Sequence, residues 1–316
     1  MTKAFVGILA ILFLFGCTKE VDIEIPGYKE QIVIDGSIET GMPPIVLISK
    51  SKDIFSPTNL DAFLNGFVSG ATVIVSNGSI SDTLEELCSD NLPPGTEEIA
   101  ANLLGIPISE LGNNKLCAYT SFNSEIWGEV GKTYQLTVKY EGKEYVATTE
   151  IKPTTALDEL YWKPEENLTN YGFSWAKLTD PAGQYDAYRW QVKRINTGLN
   201  GQPIDPIFTP TFNPVFDDDF FDGLTFDFFY ENPMVWDDPN VPDEYKGYYA
   251  LGDTVVVKLS KMDRTTFEFL EKKYNQIYSA GNPFSTPINI PTNLSNGALG
   301  IWAGYSPWYD TLICQP

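Results

Sequence analysis

The chain has 316 residues, with 42 acidic and 21 basic side chains and no histidine, so its formal net charge is −21. The absence of histidine excludes Ser-His-Asp triads, histidine general bases and HExxH metal sites, and the acidic balance disfavours nucleic acid because it repels phosphate backbones. Hydrophobic residues at 43% and aromatic residues at 14% are too frequent for a disordered chain, and 22 prolines and 25 glycines favour β structure with many turns.

The N-terminus has the layout of a secretory signal peptide. Lys3 precedes an apolar run over residues 4–16, which is too short to cross a bilayer as a helix. The run ends in Leu14-Phe15-Gly16-Cys17, which resembles the bacterial lipobox, whose cysteine receives diacylglycerol. We therefore expect residues 1–16 to be a lipoprotein signal peptide and Cys17 to be the lipid attachment site. An ordinary signal peptide with a chance cysteine is the alternative.

A short charged segment follows the cysteine. Residues 17–27 contain Glu20, Asp22 and Glu24 and are expected to tether the folded part to the membrane lipid. Acidic residues at this place resemble the surface-export signals of Bacteroidetes lipoproteins, although solubility alone favours the same composition. The expected location is the outer membrane, lipid-anchored and facing the cell surface, with the periplasmic face as the open alternative.

The first half of the folded part alternates in the manner of β-strands. Strands are predicted over residues 31–36, 45–49, 72–76, 134–140 and 145–151, with an Asn77-Gly78 turn after the third. Strands of this length, separated by turn residues, are typical of a sandwich. The fold class is therefore predicted to be mainly β, with an immunoglobulin-like or transthyretin-like β-sandwich over residues 28–152.

The segment 89–116 differs from its surroundings because it is helix-like over residues 97–104 and again near 106–112. It lies between Cys88 and Cys117, and an exported protein meets an oxidising compartment. We expect a helical excursion closed by a Cys88–Cys117 disulfide, with two buried free thiols as the alternative. Cys314 is then left over and is expected to pack as a small apolar residue.

A second β-rich domain is predicted over residues 153–316, beginning near Pro153. It contains alternating strands over residues 188–193 and 254–259 and one amphipathic helix that Asp263 caps. Residues 200–242 are dense in Pro, Phe and Asp and lack periodicity, so they are predicted to be a long acidic and aromatic loop region.

An acidic turn within that region suggests calcium, since oxygen-rich loops with a turn glycine suit a hard cation. The candidate ligands are Asp217, Asp218, Asp219 and Asp222. The register departs from an EF-hand loop because Phe220 stands where the third ligand belongs, and a solvated turn is the favoured alternative. No other cofactor is indicated.

Two further groups of side chains are candidate sites. Trp236 and Trp308 lie nearest to turns and are predicted to be exposed for ligand or partner binding, whereas most other large aromatic residues, including Tyr161 and Trp175, are assigned to the core. Thr83, in Asp82-Thr83-Leu84, matches a short pattern that resembles the Bacteroidetes O-glycosylation acceptor.

Several segments in their order along the chain resemble one family. They are Ile32-Val33-Ile34-Asp35-Gly36, Ser69-Gly70-Ala71-Thr72-Val73, Val130-Gly131-Lys132-Thr133-Tyr134, Thr179-Asp180-Pro181 with Tyr188-Arg189-Trp190, Phe216-Asp217-Asp218 and Thr292-Asn293-Leu294-Ser295-Asn296. From about residue 28 to the end, the chain resembles the Bacteroidetes lipoproteins described as domain of unknown function 4249. The resemblance implies an outer-membrane lipoprotein often encoded beside a TonB-dependent transporter, and it supplies no catalytic residues.

The expected function is that of a non-enzymatic accessory lipoprotein, which captures a glycan or peptide ligand for a TonB-dependent outer-membrane transporter or docks onto it. A cell-surface adhesin or glycan-binding module is the first alternative. A carboxylate-dependent hydrolase is the second, and it requires two acids to converge in one pocket.

Overall fold

The computed structural model describes residues 28–52, 66–92, 116–198, 201–280 and 288–315, together with a few single positions between these ranges. The expected signal peptide, Cys17, the tether and most of the helical excursion lie outside the described residues. Residues Gln31–Pro316 form one compact unit. Within the described ranges, no helix has the length and apolar character needed to cross a membrane.

The fold is mainly β, as predicted, and the described residues contain sixteen strands and one α-helix that is described over its full length. The strands are β1 (Ile32–Glu39), β2 (Ile45–Lys50), β3 (Thr72–Ser76), β4 (Ser81–Thr83), β5 (Glu85–Cys88), β6 (Cys117–Thr120), β7 (Thr133–Tyr140), β8 (Lys143–Glu150), β9 (Glu159–Glu165), β10 (Leu168–Thr179), β11 (Ala187–Arg194), β12 (Thr209–Asp217), β13 (Thr225–Tyr230), β14 (Tyr249–Ala250), β15 (Thr254–Met262) and β16 (Leu299–Ile313). The helix is α1 (Arg264–Tyr278).

These strands form three sheets. The largest has eight strands in the order β12-β11-β15-β16-β1-β2-β6-β5. The other two have four strands each: one runs β4-β3-β7-β8, and in the other β10 pairs with β13 and β14 and also with β9. The parallel pair of β1 with β16 joins the two halves of the chain in one sheet. The expected boundary at residues 152 and 153 therefore falls inside one compact unit.

The first half of the chain forms the predicted sandwich. Alternate residues of β1 and β2 face those of β3, β7 and β8 in one core, and Trp302 from β16 completes it. The Trp302 indole nitrogen donates to the carbonyl of Tyr134 at 3.0 Å. Gly36 makes room for this ring, because a methyl group at that position would stand 2.7 Å from it. A single buried tryptophan thus ties β16 to the N-terminal core.

The second half builds a core on one face of β11, β15 and β16, which packs against the β9-β10-β13-β14 sheet. Cys314 is buried there as a free thiol, as expected. The opposite face of the large sheet is covered by α1 through Phe267 and Leu270. This predicted helix begins where Asp263 accepts a hydrogen bond from the Thr266 backbone nitrogen at 2.8 Å.

The region 200–242, expected to be loop, contains β12 and β13 and is corrected here. Pro210 and Pro214 argue against a strand by sequence because proline lacks the N–H that a ladder needs. They are tolerated in β12 because it is the edge strand of the eight-stranded sheet. In β13 the run Phe226 to Tyr230 hides the alternation, since aromatic side chains occupy both faces.

The disulfide between Cys88 and Cys117 is present and closes a separation of 29 residues across the β5–β6 pair. Replacing both cysteines by serine is expected to lower the free energy of unfolding by about 3 to 4 kcal/mol, because the unfolded chain regains the entropy of the open loop. Urea denaturation measures this loss. Reductant should destabilise the wild type by a similar amount and leave the double variant unchanged, and equal loss in both proteins would contradict the prediction.

Candidate functional site

The solvent-facing side of the β9-β10-β13-β14 sheet carries a continuous row of aromatic side chains. On β10, Ser174 and Ala176 are buried in the second core, so the alternate residues Phe173 and Trp175 face outwards. Cross-strand neighbours and one loop extend the row. We call this set the aromatic strip, and it consists of Tyr161, Tyr171, Phe173, Trp175, Phe229, Tyr245 and Tyr248.

The rings of the strip pack against one another along the sheet. The Trp175 centroid lies 6.3 Å from that of Tyr161 on one side and 5.0 Å from that of Phe229 on the other. Phe173 continues the row at 4.8 Å from Phe229 and 4.7 Å from Tyr248. Such pairs stabilise one another beyond their area burial, so the rings are held in place before any partner arrives.

The strip is accessible to solvent and has a charged border. Phe229 is 44% exposed. The ammonium of Lys163 lies 5.1 Å from the Trp175 ring centroid. At one end, Lys177 on β10 lies in register opposite Glu159 on β9 and Asp227 on β13. An apolar aromatic centre inside a charged border is the arrangement of a protein interface.

A second exposed aromatic residue lies next to the strip. Trp236 is 50% exposed, as expected, and a methyl group at Gly247 would stand only 3.1 Å from its ring. Gly247 lies between Tyr245 and Tyr248, and Lys246 donates to the Trp236 carbonyl at 2.8 Å. The Trp236 ring therefore belongs to the same end of the molecule as the strip.

Trp308, also predicted to be exposed, is instead partly buried and packs against the second core. The reason is that β16 continues through Pro307, so Trp308 lies on the same, inward face of the strand as Ser306 and Leu312.

The four acids of the predicted calcium turn are not brought together. Asp217 accepts a hydrogen bond from the Tyr185 hydroxyl at 3.1 Å, and Asp219 pairs with Arg264 at 3.3 Å. Asp222 accepts from the Gly183 backbone nitrogen at 2.7 Å. Asp218 turns inwards, away from the other three. The expected ligand set Asp217, Asp218, Asp219 and Asp222 is therefore corrected, because each acid has a different partner.

Asp218 instead joins Asp180 and Asp186 in a buried acid cluster, whose carboxylate oxygens lie within 4.8 Å of one another. The three side chains are at most 3% exposed. Lys261 stands 2.6 Å from Asp186, and the Tyr188 hydroxyl donates to Asp180 at 2.7 Å. Lys261 supplies a counter-charge to this cluster. Because Asp180 follows β10 and Asp218 follows β12, the cluster connects the turns after these two strands.

Burial and the neighbouring carboxylates hold the pKa of Asp218 above its ordinary value of about 4. The folded state therefore holds this proton more tightly than the unfolded chain does. Stability falls as the pH rises from the pKa of Asp218 in the unfolded chain to its higher pKa in the folded protein. Asp218→Asn is expected to raise the free energy of unfolding by up to about 1 kcal/mol at pH 8 and by less at pH 4. Urea denaturation at both pH values measures the difference, and a pH-independent difference would contradict it.

A cleft of about 580 Å³ opens beside this cluster and is lined by charged side chains. Each of its acids is held by a neighbouring donor. Glu150 pairs with Lys152 at 2.7 Å, Asp186 pairs with Lys261, and Asp263 caps α1. Each acid of the cleft wall therefore has a partner within the fold.

Thr83, the predicted glycosylation residue, is exposed on β4, at the edge of its sheet. Modification at this residue stays a prediction.

The chain matches a known protein family. The family model described as "Domain of unknown function (DUF4249)" matches residues 18–307, which include the whole aromatic strip. No curated protein matches the chain.

Proposed function

We propose, from the premise that this chain belongs to the DUF4249 family, that it is a lipid-anchored accessory protein of the outer membrane. In this proposal it binds a ligand for, or docks onto, a TonB-dependent β-barrel transporter, and it is not an enzyme. The aromatic strip is the observation that carries the proposal.

The anchor rests on the sequence around Cys17. The apolar run up to Gly16 directs export, and the thiol that follows takes the lipid. Two or more acyl chains give stable attachment where one chain is marginal. The ten residues 18–27 reach about 33 Å when fully extended, so the folded part has room to meet a neighbouring membrane protein.

The strip supports binding because interface hot spots are enriched in tryptophan and tyrosine that are surrounded by polar residues. Trp175 and Phe229 form the centre of the strip, and Glu159, Lys163 and Asp227 lie at its border. These side chains lie outside the second core, so core packing does not account for an aromatic face at this place.

Affinity purification of the lipidated protein in mild detergent tests the proposal. The expected result is co-purification of an outer-membrane β-barrel from native membranes. Recovery of the lipoprotein without any barrel partner would contradict it, and a Cys17→Ala variant that leaves the membrane fraction serves as the control for the anchor.

A glycan-binding module is the second candidate, and the half-exposed ring of Trp236 favours it. Within the strip, Tyr171 and Tyr245 stack on each other at 4.2 Å and 10°, so those ring faces are not free for a sugar. A glycan array discriminates the two candidates. Binding that Trp236→Ala abolishes and Trp308→Ala leaves unchanged would support this candidate, and a blank array would remove it.

A carboxylate-dependent hydrolase finds less support. The cleft acids Glu150, Asp186 and Asp263 each have a hydrogen-bond or ion-pair partner within the fold. A general acid and its partner base require carboxyl groups that are free to exchange protons with a substrate.

A further inference from the structure

Strand β13 is the outermost strand of its four-stranded sheet, and one of its edges has no neighbouring strand among the described residues. Its pairing with β10 keeps one register over all six residues. Just before the strand, the Asp180 backbone nitrogen donates to the Leu224 carbonyl at 3.0 Å. Because hydrogen-bonded pairs alternate along an antiparallel ladder, the backbone groups that point to the free edge belong to Thr225, Asp227 and Phe229.

This edge is accessible to solvent. Thr225 and Asp227 are exposed, and Phe229 is 44% exposed. An unpaired edge presents a row of N–H and C=O groups, which is the template that an added strand needs. Since Phe229 belongs to the aromatic strip, the template lies at the border of the surface proposed for docking.

Natural sheets usually protect such an edge, and the preceding strand does so. β12, the edge strand of the eight-stranded sheet, contains Pro210 and Pro214, and its register with β11 shifts between Arg189 and Gln191. Proline removes a backbone donor, and a register shift bends the strand. β13 has neither a proline nor a register shift. Its edge is therefore open to pairing.

The inward side chains of β13 are not fully covered. Phe226, Phe228 and Tyr230 pack against the second core, yet each is only partly buried. On the neighbouring strand β10, the inward residues Ala176 and Leu178 are 0% exposed. A strand added beside β13 would cover more of the three rings, and this contact favours apolar residues at alternate positions of that strand.

Asp227 is the charged residue of β13 and lies in the middle of the free edge. It forms no ion pair with another described residue, and the Tyr161 hydroxyl donates to it at 3.4 Å. A second copy of the chain, paired antiparallel about this position, would place Asp227 opposite Asp227. Like charges directly opposite each other destabilise a strand pair. The edge therefore disfavours a second copy and favours a strand with a basic residue at this place.

We propose that the partner docks by adding an extended strand to the free edge of β13, with apolar residues at alternate positions and a basic residue opposite Asp227. In this mode of recognition main-chain hydrogen bonds supply affinity, and alternate side chains supply specificity. The inference rests on the proposed function, because the added strand continues the sheet whose outer face carries the aromatic strip. It adds that the partner is bound through its backbone as well as by the rings.

Proline at position 227 tests the backbone contribution separately from the side chain. Asp227→Pro removes the side chain and the N–H that points to the free edge, whereas Asp227→Ala removes only the side chain. The probe is a detergent extract of native outer membranes, titrated onto each immobilised full-length protein, and the captured barrel protein is quantified. Capture by Asp227→Pro is expected to be about tenfold weaker than by Asp227→Ala, because one hydrogen bond is lost and the proline ring blocks its acceptor.

Ser81→Pro is the matched control for the proline. Ser81 is exposed on β4, the edge strand of the other four-stranded sheet, and its N–H also points away from the neighbouring strand. This variant should change capture less than twofold, and thermal unfolding checks the fold of every variant. Thr225→Pro, at the first position of β13, where proline is tolerated, replaces Asp227→Pro if that variant does not fold.

Asp227→Lys tests the charge while it keeps every backbone donor. It should capture the partner more weakly than Asp227→Ala, because it repels the basic residue of the added strand. Capture by Asp227→Lys that is no weaker than capture by Asp227→Ala would contradict the basic residue.

Three further results would overturn the inference. Equal capture by Asp227→Pro and Asp227→Ala would exclude backbone pairing and leave the proposed function intact. Sedimentation of the wild type as a dimer that Asp227→Pro dissociates would assign the edge to a second copy. A wild-type protein that captures no barrel protein would remove the proposed function and the inference together.

Discussion

Replacement of Lys261 by methionine is expected to lower the free energy of unfolding by about 3 to 5 kcal/mol at pH 8. Lys261 is 2% exposed and donates to Thr155 at 3.0 Å in addition to its ion pair with Asp186. Its removal leaves three buried carboxylates without the cation that compensates them. The methionine side chain is about as long as that of lysine and is apolar like the lysine methylene stem. The loss of stability therefore reports the missing charge and not a cavity.

The loss should depend on pH in a defined direction. The pKa of Asp218 lies above its ordinary value because of burial and the neighbouring acids. As pH falls, Asp218 takes up a proton and one of the charges that Lys261 compensates disappears. The deficit of Lys261→Met is therefore expected to be smaller at pH 4 than at pH 8.

Lys272→Met is the control for this prediction, since Lys272 pairs with Glu271 on the exposed surface of α1 at 2.9 Å. Exposed pairs contribute about 1 kcal/mol or less. Urea denaturation of both variants at both pH values gives the comparison. A Lys261→Met deficit no larger than that of Lys272→Met would show that the buried cluster needs no counter-charge.

The second large effect concerns the aromatic strip. A double Trp175→Ser and Phe229→Ser variant is expected to weaken binding of the proposed barrel partner about 1,000-fold, because two central hot-spot residues contribute about 2 kcal/mol each, or about 4 kcal/mol together. The second core should remain intact, since both side chains lie on the opposite face of the sheet. Titration of the purified protein onto the barrel partner that the proposal predicts measures the affinity.

Phe220→Ser is the matched control for the strip. Phe220 is 95% exposed and lies in the acidic turn. If general surface hydrophobicity drives association, this variant loses affinity as well. If the strip holds the partner, only the double variant does. Equal affinity of the double variant and the wild type would contradict the assignment.

Local features of the fold could be predicted from the sequence because nearby residues determine them. The side-chain oxygen of Asn77 accepts hydrogen bonds from the backbone nitrogens of Ser79 and Ile80, two and three residues later, and this forms the predicted turn. Asp263 caps α1 in the same local manner. The disulfide followed from the spacing of two cysteines and the oxidising compartment.

Long-range features could not be predicted in this way. The parallel pair of β1 with β16 joins residues more than 250 positions apart, as in Val33 with Leu299. Likewise, Asp180 and Asp218 come from different turns, and only the sheet pairing places them together. No local periodicity contains this information.

The aromatic strip was missed for a different physical reason. In β10 the larger side chains Phe173 and Trp175 alternate with the small residues Ser174 and Ala176. Large apolar side chains are usually buried, so the sequence predicts that Phe173 and Trp175 face the core. The structure has the reverse arrangement: the small Ala176 belongs to the same core cluster as the large Trp190, and Phe228 packs against that cluster. The alternation was visible, but the choice of face was decided by distant residues.

Site-specific photo-crosslinking on intact cells tests the central claim most directly, with a photoreactive phenylalanine analogue placed at Phe229 and, as the control, at Phe220. The account predicts a crosslink from position 229 to an outer-membrane β-barrel protein, which position 220 does not form. A crosslink to no protein from position 229, or the same crosslink from both positions, would contradict the claim that the aromatic strip is the docking surface.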